Sequence, residues 1–299
     1  MYATRVADRV YLLDTHALGV PGTVAAYLVK GPNPTLIDCG YASSYQAVLA
    51  GLEEAGVAAE EIRYLIPTHV HLDHAGAAGR LLKSMPKAEV VAHERGVPHL
   101  VDPARLMESA TRVFGPAIMA LYGSPDPIPA ERVTSVGQER RIDLGEGLWA
   151  RVVYTPGHAP HQVSVLLEGT GLVATADAVG IIYPGFRSLI PTTPPASFDP
   201  PRLSSSLESL SRMNPVKLLV PHFGVRDDPA WVIGETRRLV EEWVGKVRKL
   251  NSQGAELEEV AKELEEEVAA KEGTALPVYA QVSIRASAMG ILHYLEKNP

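Results

Sequence analysis

The chain has 299 residues, of which 46% are hydrophobic and 21% charged, a balance that suits a globular protein with a sizeable core and excludes low-complexity or collagen-like architectures. A formal net charge of −7 argues against general affinity for nucleic acid or anionic membrane, and one cysteine, Cys39, excludes an intramolecular disulfide framework and suits a reducing cytoplasm. Arg5, Asp8 and Arg9 interrupt the opening MYATRVADRVYLLD, and no run of about eighteen apolar residues follows, so neither a secretory leader nor a membrane span is expected. With four Asn and five Gln, thermolabile amides are scarce, which points to a thermophilic source.

In chain order, β-type runs at Arg9–Asp14, Ala25–Lys30 and Thr35–Asp38 are separated by the turn clusters GVPG and GPNP, the pattern of an antiparallel meander. Ser43–Ala55 has helical spacing, with Gly56 placed to end the helix. A buried strand is expected over Ile62–Pro67, a helix over 75–85, and a strand over Glu89–Ala92. Residues 96–130 read as a Pro- and Gly-broken, lid-like insertion with one helix around Ala104–Phe114. Strands resume at Arg140–Asp143, Leu148–Tyr154, Gln162–Glu168, Gly171–Ala176 and Lys217–Pro221. From Asp228 the texture turns helical, over Trp231–Leu250, Ala255–Ala270 and Gln281–Glu296. This tail has nine Lys and Arg against thirteen Asp and Glu, so it reads as a helical cover, not a phosphate-binding arm. The layout suggests two sheets face to face with helices outside, an α/β layered class.

One stretch crowds metal-ligand side chains: 68-THVHLDHAG-76 holds His69, His71, Asp73 and His74. In extended backbone, residues two apart point the same way, so His69 and His71 can grip one ion while Asp73 and His74, past the turn, face another. Three further candidates stand where a strand runs into a turn: His158 in YTPGHAPHQ, Asp177 in ATADAVG and His222 in LVPHFG. Strand ends are where a rigid scaffold can aim loop side chains into a shared pocket. Imidazole and carboxylate ligands suit zinc-like divalent ions, and hydrolytic sites use about three protein ligands per ion.

The order THVHLDHAG, TPGH, an Asp-bearing strand end and PHFG, preceded by 37-IDCG-40, resembles the metallo-β-lactamase superfamily from Val24 to about Gly224. The resemblance implies a four-layer αβ/βα sandwich, with a catalytic domain over 1–227 and a C-terminal helical extension over 228–299. It implies that His69, His71 and His158 hold one ion, that Asp73, His74 and His222 hold a second, and that Asp177 bridges both. Asp38 and Thr68 would orient the ligand loop. Family members usually carry Gly before the bridging Asp; here Ala176 stands there, a small change because Ala is also small. His93, His99, His161 and His293 match no ligand position.

Two divalent ions per chain follow, zinc first, with iron or manganese accepted by the same ligands. Four metal charges less Asp73, Asp177 and one bridging hydroxide leave about +1, a positive trap in an acidic protein. The implied reaction is attack by that hydroxide on an ester-like bond of a small molecule: a phosphoester such as a phosphodiester, a lactone, a thioester or a related bond. Asp73 or His222 could pass a proton to the leaving group, and Tyr183 and Phe186 are candidate substrate walls, with core packing as the competing role. The commonest β-lactamases of the superfamily place Cys where Asp177 stands, and its diiron oxygen-reducing members place an acid where His71 stands. The resemblance that remains is to the glyoxalase II-like branch and its generic archaeal and bacterial metallo-hydrolase relatives, and 99-HLVDPARLMESA-110 resembles an insertion of an archaeal subgroup. No basic pair for glutathione is visible in the tail. The competing enzyme class resembles persulfide dioxygenases, with a single iron on His69, His71, His158 and Asp177. Exposed sides of the last helix could pair two copies into a homodimer.

Overall fold

The computed structural model describes residues 1–298. Seven strands form the first sheet in chain order: β1 (Ala3–Ala7), β2 (Val10–Asp14), β3 (Ala25–Val29), β4 (Thr35–Ile37), β5 (Tyr64–Ile66), β6 (Glu89–His93) and β7 (Val133–Val136). The pairs from β1 to β4 are antiparallel and those from β4 to β7 parallel. The second sheet contains β8 (Glu139–Gly145), β9 (Leu148–Tyr154), β10 (Val163–Leu167), β11 (Leu172–Ala174), β12 (Lys217–Val220) and β13 (Gly224–Arg226), in spatial order 13-12-11-10-9-8.

Side-chain alternation explains the stacking. In β3, Ala25, Tyr27 and Val29 point into one apolar cluster while Ala26 and Leu28 point into another; in β10, Val163, Val165 and Leu167 share the cluster of Ala25 and Tyr27. That shared cluster is the core between the sheets, and both strands are buried on both faces. The outer face of the first sheet is covered by α1 (Tyr45–Glu54) and the short turns α2 (Leu72–Ala75) and α3 (Ala78–Leu81), through Val48, Leu52, Ala75 and Leu81. Between β6 and β7 lie α4 (Val97–Val101) and α5 (Ala104–Tyr122).

Leu166, Val173, Leu218 and Val220 face outward from the second sheet and join a cluster with α6 (Pro200–Arg212), α7 (Pro229–Ser252), α8 (Leu257–Glu272) and α9 (Val278–Lys297). Trp243, Val260, Ile284 and Ile291 anchor that cluster. These helices are the fourth layer of the αβ/βα sandwich. No helix among the described residues is long and apolar enough to cross a membrane.

Four differences from the sequence reading have physical causes. The helix expected over 75–85 is split at Gly76 and Ala77 into α2 and α3. The insertion helix runs past Phe114 to Tyr122, bending at Gly115 (φ 76°) before Pro116. α6 was not anticipated, although Asp199 caps it by accepting from the Arg202 N–H at 3.1 Å and Pro200 follows at the first helical position. β1, β7 and β13 were also missed, and all three are edge strands.

Candidate metal centre

The parallel strands aim their C-terminal ends at one point. Asp38, in the left-handed region (φ 57°), turns the chain after β4, and the Thr68–His74 loop follows β5. The Asp38 carboxylate ties these two segments together. It accepts from the Thr68 N–H at 2.7 Å, the Thr68 hydroxyl at 3.1 Å and the His74 Nδ1–H at 2.9 Å. Asp38 and Thr68 are thus hydrogen-bonded to the loop that carries four of the candidate ligands. From the second sheet come His158 after β9, Asp177 after β11 and His222 after β12.

All seven candidate ligands converge. His69 Nε2 lies 2.9 Å and His158 Nε2 3.0 Å from His71 Nδ1. Asp73 Oδ2 is 3.6 Å from His74 Nε2 and 3.5 Å from His222 Nε2. Asp177 stands between the two sets, with Oδ2 3.4 Å from His158 Nε2 and 3.3 Å from His222 Nε2, and Oδ1 3.5 Å from His74 Nε2. Three groups of ligand atoms each fall within 4.8 Å: His69, His71 and His158; His69, His74 and Asp177; Asp73, His74 and His222.

The donor set fits divalent ions on a test internal to the molecule. His158 gives its Nδ1–H to the Thr192 carbonyl at 3.1 Å, and His74 gives its own to Asp38, so in the neutral rings both Nε2 atoms point inward as lone pairs. His74 Nε2 and Asp177 Oδ1 are buried without a hydrogen-bond partner. Two facing acceptors at this depth call for positive charge between them. The spacings of 3.3–3.5 Å around Asp177 also match the edge of about 3.3 Å of a tetrahedron built on bonds of about 2.0–2.1 Å.

The electrostatics divide the cluster. Burial and the neighbouring rings of His74, His71 and His158 push His69 well below its ordinary pKa, and burial with His158 takes His71 to about 3. Burial also lowers His158, against the pull of Asp177. These three rings are therefore neutral at pH 7, the form in which an imidazole can take a metal ion. For His74 burial acts downward, but Asp73, Asp38 and Asp177 outweigh it and raise the pKa. His222 is raised in the same way, by Asp177 and Asp73 against burial. Burial alone would raise Asp177, yet His222, His74 and His158 hold it well below the usual carboxylate range.

Removing the carboxylate that fixes His74 has a defined expected result. Asp38→Asn keeps one acceptor oxygen but loses the charge, and the variant should bind metal about 10- to 100-fold more weakly. Competition with a chromophoric chelator measures this; unchanged affinity would mean that Asp38 only shapes the turn.

Ala176 takes φ 51°, a left-handed conformation that turns the chain into Asp177. The cost of Ala at this position is therefore conformational, on the order of 1–2 kcal/mol relative to glycine's easy access, and is not a matter of size as the sequence suggested. Tyr183 lines the cavity above the ligands, and its hydroxyl pairs with Ser283 Oγ at 2.8 Å. Phe186 does not line that cavity. It packs edge-on against Tyr183 at 5.6 Å and joins the cluster under the C-terminal helices, because the turn at Gly185 (φ 85°) carries it behind the wall. His93 stacks on Tyr154 at 4.0 Å and accepts from the Arg95 N–H, a packing role. His161 and His99 reach the cavity wall outside the seven-ligand set.

Sequence reasoning missed the support for His158. Thr192, whose carbonyl holds His158 Nδ1, gives its hydroxyl hydrogen to the Asp177 carbonyl at 2.9 Å. The 191–194 segment is in turn pinned by α9: Ser287 Oγ donates to the Pro191 carbonyl at 2.7 Å, and the Thr193 hydroxyl donates to the Ser287 carbonyl at 3.0 Å. Gly290 lets α9 approach this segment, since a Cβ there would fall 2.5 Å from the Pro194 carbonyl carbon. No local sequence signal marks these contacts.

An αβ/βα sandwich with a His- and Asp-lined metal-binding centre at the strand ends defines the class. The profile of the "Metallo-beta-lactamase superfamily" matches residues 19–222, and the chain belongs to that superfamily. It is 32% identical over 179 residues to the "Metallo-beta-lactamase fold-containing protein ST1585" of Sulfurisphaera tokodaii, covering 58% of this chain and 63% of that one. It is 29% identical over 185 residues to "Probable metallo-hydrolase YqjP" of Bacillus subtilis, covering 55% and 56%. The matches thus span less than two thirds of these relatives. The crystal structure of ST1585 superposes with a TM-score of 0.61 at 27% identity over 73% of this chain and 80% of that one. The metallo-β-lactamase family protein TTHA1429 of Thermus thermophilus shares the fold over 98% of this chain and 95% of its own, with a TM-score of 0.70 at 20% identity.

Proposed function

We propose that the protein is a hydrolase of ester-like bonds in small molecules that uses two divalent ions per chain, zinc first, with iron or manganese also suited to these ligands. The observation that carries this reading is the shared position of Asp177, whose Oδ2 lies 3.4 Å from His158 of the three-histidine set and 3.3 Å from His222 of the other, while its Oδ1 lies 3.5 Å from His74. Two ions held there would supply the Lewis acidity that brings a water's pKa towards neutrality and polarises the scissile bond.

The chain's own residues do the rest. Asp38 and Thr192 lock the His74 and His158 rings so that their Nε2 atoms cannot turn away. Asp73 is the most open carboxylate of the cluster, at 19% side-chain exposure, and faces the cavity with His222 behind it. It is placed to take a proton and return it to the leaving atom. The cavity, about 710 Å³, is of a size for a small-molecule substrate.

A single iron on His69, His71, His158 and Asp177, as in the persulfide dioxygenase-like alternative, would leave Asp73, His74 and His222 without a task. The clamp of Asp38 on His74 Nδ1 favours the two-ion reading, because it orders a ring the single-iron chemistry would not use.

The test is a panel of a carboxylic ester, a thioester, a lactone, a phosphodiester and a phosphotriester. Turnover of at least one class should be lost on chelation and restored by zinc. Turnover insensitive to chelation, or no turnover on any class by protein carrying two ions, would refute the proposal.

A further inference from the structure

The cavity that reaches the ligands is also where the molecule concentrates its exposed apolar side chains. Nine large hydrophobic residues stand exposed among the described residues, and six of them, Leu18, Val20, Leu121, Val278, Tyr279 and Val282, line this one cavity. Scattered single exposed hydrophobics need no explanation, but six around one opening do.

Two helices supply a large part of that wall. On α5, Leu106, Ala110, Val113 and Phe114 recur at the spacing of a helix face that ordinarily packs into a core, yet they line the cavity, and only Met119 and Tyr122 of the helix are buried. α9 carries two apolar faces. Ala280, Ile284, Ala288 and Ile291 enter the core beneath the second sheet, while Val278, Tyr279 and Val282 turn to the cavity. The same cavity has His71, Asp73, His158, Asp177 and His222 on its wall, so the apolar groove is continuous with the metal centre.

Resting on the hydrolase reading, we propose that the substrate is an ester-like compound with a linear apolar chain, bound with that chain between α5 and α9 and its scissile group at the metal centre. Concavity and continuity with the ligands favour a chain-bearing small molecule over a second copy of the protein, which would meet a hollow where a flat face is needed. Hydrolysis of such an ester joins water's oxygen to the acyl carbon, breaks the bond from that carbon to the leaving oxygen, and delivers a proton to the leaving oxygen. No oxidant or reductant enters.

The experiment pairs binding with turnover on the metal-loaded protein. Calorimetric titration with butyrate, octanoate and dodecanoate, below their micelle concentrations, should show affinity rising about fourfold per methylene, the equivalent of about 0.8 kcal/mol per buried CH₂, until the groove is filled. The kcat/KM values for 4-nitrophenyl esters of the same acids should climb in parallel. Val113→Asp and Val282→Asp, one on each helix and neither touching a ligand, should flatten both slopes while keeping the bound metal. Affinity independent of chain length would overturn the inference, as would a dimer that closes the groove and is not displaced by dodecanoate. Chain-length-dependent binding with no turnover of any ester would uphold the apolar site and count against the hydrolase reading alone.

Discussion

Asp177→Ala is expected to empty both metal positions together and to reduce turnover on the order of 10³-fold or more, the several kcal/mol that Lewis-acid stabilisation contributes. The reason is geometric. Asp177 Oδ2 lies 3.3–3.4 Å from His222 and His158, and Oδ1 lies 3.5 Å from His74, so one side chain closes both ligand sets. Removing it also leaves His74 Nε2 and its neighbours with less negative charge nearby, and the two sites should weaken in one step when metal is titrated back. Metal counting by mass spectrometry beside activity reads both effects. A variant that still carries two ions and turns over normally would refute the shared role.

Gly290→Ala should produce the largest effect among substitutions remote from the ligands. The added Cβ would sit 2.5 Å from the Pro194 carbonyl carbon and 2.6 Å from its oxygen, both backbone atoms that cannot swing aside. Overpacking of this kind costs about 3 kcal/mol, which for a chain of this size means a fall in Tm of roughly 5–10 °C. The segment pushed away is the one whose Thr192 carbonyl orients His158, so metal affinity should also drop by about tenfold or more. Ser287→Ala, which removes a hydrogen bond to Pro191 without adding bulk, should show the same signs at smaller size. Thermal melts with and without chelator separate the two losses: a drop in Tm with unchanged metal affinity would show that α9 supports the fold but not the site.

The candidate ligands were legible in the sequence because their chemistry is local. His69, His71, Asp73 and His74 crowd one short segment after a strand, His158, Asp177 and His222 each follow a strand beside Gly, Ala or Pro, and the structure brings all seven to one point. The two-sheet layering was legible for a similar reason, since alternation in runs such as Leu148–Tyr154 is a short-range signal. What failed to show is long-range or weakly patterned. Ser287 and Pro191 are 96 residues apart, and nothing near either announces the contact. β1, β7 and β13 lie at sheet edges, with few or no buried side chains, so they lack the periodicity that identifies a strand. The apolar face of α5 has the spacing of a core helix, and spacing alone does not tell that this face lines a cavity. Tyr183 and Phe186 read alike in sequence, and only the turn at Gly185 separates the wall residue from the one behind it.

The most direct test of the account is the number and identity of metal ions per chain in protein purified without added chelator or metal. Two divalent ions per chain, lost together in Asp177→Ala, is the predicted result. A single iron per chain, unaffected by replacing Asp73 or His222, would contradict it and would direct attention to oxygen consumption in place of hydrolysis.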